Sequence, residues 1–89
     1  MRWEDYKGMT DLGRRIGRMV EAVKNDEKHI GVLSTGERLA VALILDRHDF
    51  LSRKIEGRAA ERYTMLEAVD RLGPEWLDAA HLVQRAMDT

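Results

Sequence analysis

Apolar residues are not spread evenly along the chain; they gather in blocks whose spacing differs from one to the next. Leu12, Ile16, Met19, Val20 and Val23 recur every three or four residues and form one stripe of a helix. Thr10 or Asp11 can cap its start, and the pattern runs to about Asn25. The densest block is Leu39–Leu45, an unbroken apolar run preceded by Ser34-Thr35-Gly36-Glu37. Ser34 and Glu37 have the spacing of a capping box, in which each side chain accepts from the other's backbone N–H. Leu and Ala outnumber the β-branched Val41 and Ile44 in the run, which favours helix over strand. A helix apolar on every side must be enclosed by protein. The expectation is therefore a central buried helix over about residues 35–47.

The same pattern places two more helices near the C-terminus. Thr64-Met65-Leu66-Glu67 repeats the capping-box spacing, with Ala68, Val69 and Leu72 following on one side. Gly73 then Pro74 read as the stop of one helix and the first position of the next. Trp76, Leu77, Ala80, Val83 and Met87 give that last helix its apolar face. Between these elements the pattern weakens. Residues 25–33 read as a connection, with His29–Leu33 briefly extended and Ile30 and Leu33 turned into the core. Residues 47–63 carry Phe50, Leu51 and Ile55 as anchors, and one short helix plus a mobile piece around Gly57 are expected. The fold class that follows is all-α: one domain, residues 1–89, built as a compact bundle of four to five short helices around the central one.

Two glycines disturb the first helix. Gly13 and Gly17 lie one turn apart, and each costs ~1 kcal/mol against alanine in a helix interior. Close approach of another helix would explain both.

Composition narrows the function without naming it. There is no cysteine, so disulfides and thiolate metal sites are excluded. No signal segment or membrane span is read from the chain, and the cytoplasm is the expected compartment. Net charge is −1, but counting along the sequence gives +2 for residues 1–24, 0 for 25–63 and −3 for 64–89. Such polarity can steer a partner. It falls short of the general basicity of a nucleic-acid binder.

Candidate chemistry is sparse. Asp46, His48 and Asp49 are close in sequence, but on a helix they would point to different sides, so no metal site is expected. Gly13–Gly17 has neither the preceding strand nor the spacing of a phosphate loop. No nucleophile has an obvious partner, and neither enzymatic activity nor a cofactor is expected. Met65–Arg85 has the outline of a helix-turn-helix, yet Glu75 and Asp78 would meet the phosphate backbone with like charge.

What remains are residues suited to contact. Arg14, Arg15 and Arg18 form a basic face, either solvated through Asp11–Arg15 and Arg18–Glu21 pairs or used to grip anions. Glu75, Asp78, His81 and Arg85 mark the outer side of the last helix. Trp3 either folds back to cover one end of the core or, with Tyr6, anchors a partner. These residues point to a non-enzymatic regulator or inhibitor that binds another protein or a nucleoprotein complex through charged helix faces. Small cysteine-free inhibitors of phages and mobile elements, anti-CRISPR proteins among them, are an analogy of size and charge only. Two alternatives stand beside it: a small nucleic-acid-binding or antitoxin-like regulator, and a homodimerising scaffold.

Overall fold

Helix α1, Asp11–Asn25, begins where a threonine hydroxyl can replace the missing backbone partner: Thr10 Oγ1 accepts from the N–H of Gly13 at 3.0 Å. The computed structural model describes residues 2–53 and 61–88. Helix α2, Thr35–Leu45, starts with the expected capping box between Ser34 and Glu37. It ends two residues earlier than the sequence suggested, because Asp46 turns into the left-handed region at φ 54°. Helix α3, Met65–Met87, starts with the second box, Thr64 with Glu67. It is broken in the middle by Gly73, whose φ of 78° and ψ of 170° are not helical, with Pro74 restarting the second half. These helices, with α3 counted as two halves, make the all-α bundle read from the pattern.

The core is one contiguous apolar cluster. Ile16, Val20 and Val23 of α1 meet Leu39, Ala40, Val41 and Ala42 of α2 and Ala68, Leu72, Ala79 and Val83 of α3. The stretch from Leu39 to Ala42 is fully buried, as a helix apolar on all sides requires. Leu43, Ile44 and Leu45 are only half-buried. The expected enclosure is therefore only partial over the last turn of α2, whose side chains pack on the core by one side.

The connections depart most from expectation. Residues Glu27–Val32 form a 3-10 helix rather than an extended piece, capped by Asp26, whose carboxylate accepts from the N–H of Lys28. Leu33 is buried and Ile30 packs on the core as expected. After α2 another 3-10 turn, His48–Leu51, buries Phe50 and Leu51. Arg47 pins this corner: it holds Asp49 through two hydrogen bonds, reaches Glu27 at 2.6 Å and lies over the Phe50 ring. Its guanidinium pulls the Asp49 carboxyl below its ordinary value. The chain then forms an antiparallel ladder of two-residue strands, β1 Ser52–Arg53 with β2 Glu61–Arg62. The expected anchor Ile55 and mobile piece at Gly57 lie outside the described residues. No helix among the described residues is long and apolar enough to cross a membrane.

Arg38 was hidden in the sequence by its position at the edge of the apolar run. It is only 2% exposed, and its Nη1 donates to the carbonyl of Phe50 at 3.2 Å. The guanidinium thereby fastens the 3-10 turn that follows α2 to the start of that helix.

Candidate acidic groove

Carboxylates are stabilised at the start of a helix, where unpaired backbone N–H groups leave a partial positive charge. Two such starts lie side by side here. The first turn of α1 carries Asp11, the turn restarted by Pro74 carries Glu75, and Asp78 follows just beyond it. Between them runs a groove of about 430 Å³, lined by Thr10, Asp11 and Leu12 on one wall and by Glu75, Asp78, Ala79 and Leu82 on the other. Leu12, Ala79 and Leu82 supply its apolar lining, while Asp11, Glu75 and Asp78 are exposed. At Gly13 a Cβ would crowd the Met9 sulfur at 2.7 Å and Thr10 Oγ1 at 3.2 Å, both from the turn that leads into α1. Leu82 of α3, at 3.8 Å, is at ordinary contact distance, so this glycine makes room for its own N-terminal turn rather than for a neighbouring helix.

The basic face is arranged otherwise. Arg14 pairs with Asp11 at 3.1 Å, and Arg15 crosses to Glu37 of α2 at 2.9 Å. The Arg15 guanidinium also sits 5.7 Å above the Trp76 ring, so one side chain links all three helices. The expected Asp11–Arg15 and Arg18–Glu21 pairs are thus not formed. Arg15 finds a better-placed carboxylate on α2, and Glu21 is taken by the indole N–H of Trp3 at 2.7 Å. Arg18 is exposed, with no ion pair among the described residues. Two of the three arginines are already engaged within the fold.

Trp3 folds back onto the chain, but against α1 at Gly17 rather than over the core cluster. It belongs to a short 3-10 turn, Trp3–Asp5, and its ring lies on Gly17. Gly17 therefore serves an aromatic ring rather than a neighbouring helix. Tyr6 is half-buried beside this turn. His81 is exposed on the far side of α3 from the acidic groove, at the rim of a second, apolar groove, and Arg85 is exposed one turn further on.

Sequence reading found Glu75 and Asp78 but not their neighbour Asp11, because the contact joins residues more than sixty positions apart and leaves no local pattern. Asp46 and His48 approach to 3.9 Å, and Asp49 is occupied by Arg47. No group of three or more His, Asp or Glu among the described residues is placed to hold a metal ion. No known protein family, curated protein or solved structure matches this chain.

Proposed function

We propose that this is a non-enzymatic, protein-binding regulator or inhibitor that receives a basic segment of its partner in the acidic groove. The observation that carries the reading is the groove itself: an apolar lining between α1 and α3 edged by Asp11, Glu75 and Asp78. Such a slot suits a lysine or arginine whose stem lies on the leucines while its head meets the carboxylates. Arg14 pairs with Asp11 at the groove's edge, so Glu75 and Asp78 are the groove carboxylates that have no ion pair among the described residues and can meet a basic segment. His29, His48 and His81 lie on different elements, and the Ser34 hydroxyl caps α2.

Affinity capture with a charge-reversed pair tests the reading. Glu75→Lys/Asp78→Lys is expected to lose the captured partner, and Arg14→Glu/Arg18→Glu to keep it. Equal capture by the wild type and the Glu75/Asp78 variant would remove the groove from the account.

A further inference from the structure

The half-exposed end of α2 and the kink of α3 create a second surface, opposite the first. At 100° per residue, Leu77, Ala80, His81 and Gln84 face one way along α3, and Glu75, Asp78, Ala79 and Leu82 face the other. The first set, with Leu43 and Ile44 of α2 and Val69 from before the kink, lines an open and mostly apolar groove of about 110 Å³. For scale, an apolar cavity of ~150 Å³ takes up a benzene molecule, so this one suits a single aliphatic side chain. Leu66 stands one turn before Val69 on the same helix and is 78% exposed, the most exposed large apolar residue among those described. A projecting leucine thus stands one turn from Val69, a wall of a leucine-sized hollow.

From this we infer that the protein associates with a second copy of itself through α3, each copy placing Leu66 in the other's groove. A knob beside a hole is what a two-fold interface needs, since contact of residue i with j then also gives j with i. An axis crossing the first half of α3 between Leu66 and Val69 sets the halves antiparallel and brings each leucine against the partner copy's Val69, the groove wall nearest the axis. The exposed side chains of the next turn, Asp70 and Arg71, carry both signs, so the pairing does not stack one charge against itself. The acidic grooves stay open on the outer sides of such a dimer. The inference is therefore independent of the proposed function.

Sedimentation equilibrium from about 1 μM to about 1 mM protein tests it. The wild type is expected to rise from the 10.3 kDa chain mass toward twice that value. Leu66→Glu, acidic in the first turn of a helix and so harmless to it, should weaken association at least ~10-fold. His81→Glu changes only an exposed rim residue and should weaken it too, from the groove side. Val32→Glu removes an apolar residue of similar exposure, 73%, outside that face and should associate like the wild type. Circular dichroism of each variant checks that the helices are intact. A wild type that stays at 10.3 kDa throughout overturns the inference. So does undiminished association of both Leu66→Glu and His81→Glu, or equal loss in Val32→Glu.

Discussion

The indole of Trp3 lies against Gly17, fourteen residues later, in the space a side chain would otherwise fill. A Cβ at position 17 would overlap Cη2 and Cζ3 of the ring, and the ring's N–H is held by Glu21 one turn on. The glycine lowers the helix propensity of α1 by ~1 kcal/mol, and what it gains is a seat for the N-terminal turn. Leucine or methionine in place of Trp3 would fill the seat without reaching Glu21.

Gly17→Ala should therefore have opposite effects in two backgrounds. In the wild type the ring is displaced, at a cost of about 1–3 kcal/mol that outweighs or cancels the gain in propensity. In a Trp3→Ala chain nothing is displaced, and the same change should stabilise by ~1 kcal/mol. Urea midpoints of the four proteins give the coupling between the two positions, expected at about 1–3 kcal/mol. Additive midpoints would mean that Trp3 does not rest on Gly17 in solution.

Gly73 should resist a substitution that helix ends usually tolerate. Asparagine can replace glycine where φ and ψ are both near the left-handed helical values. At φ 78° and ψ 170° the backbone is in a region open essentially to glycine alone. Gly73→Ala and Gly73→Asn are both expected to lower stability by about 1–3 kcal/mol, which is roughly 4–24 °C in the melting temperature of a domain of this size. A tolerated asparagine would place the kink in the ordinary left-handed conformation.

These two glycines show where sequence pattern carries and where it stops. Short-range signals were legible: both capping boxes, the Thr10 cap and the Gly73–Pro74 break lie where local spacing put them. Each of those depends on backbone groups within four residues of the side chain that meets them. Side-chain partners across the fold were not legible. Arg15 passes over Asp11, one turn away, for Glu37 on another helix, and Glu21 bonds to Trp3 instead of Arg18. The acidic groove likewise joins the start of α1 to the middle of α3, so only its α3 half had a sequence signal. The apolar run of α2 was over-read at its end for the same reason, since local composition does not say what covers Leu43–Leu45.

Arg38 should behave as a structural residue in spite of its charge. Replacing it with methionine keeps most of the buried stem but leaves the Phe50 carbonyl without its donor. An unmet buried acceptor costs about 1–3 kcal/mol, and Arg38→Met is expected to lose stability in that range. Lysine can reach the same carbonyl with a single donor and should recover part of the loss. Thermal melts of the three proteins decide; an unchanged midpoint in Arg38→Met would take the Phe50 contact out of the fold's stability.

The start of α2 should make stability fall in acid. The Glu37 carboxyl is held below its ordinary value of 4.5, first by the backbone N–H of Ser34, with the Ser34 hydroxyl and Arg15 adding to the effect and partial burial opposing it. A carboxyl that binds its proton less readily when folded leaves the unfolded chain with more bound protons in that window, so stability rises with pH there. The contribution is complete above the ordinary value and is lost as pH falls through the lowered one. Asp49, held down by Arg47, adds a change of the same sign, so the wild type alone cannot isolate Glu37. Glu37→Gln can: its amide oxygen still accepts from the Ser34 N–H, but it has no proton to gain. Between about pH 6 and about pH 3 the urea midpoint of the wild type should drop further than that of Glu37→Gln, and the two curves should converge at the acid end. Parallel curves would show that the capping carboxylate is not held in its charged form by the fold.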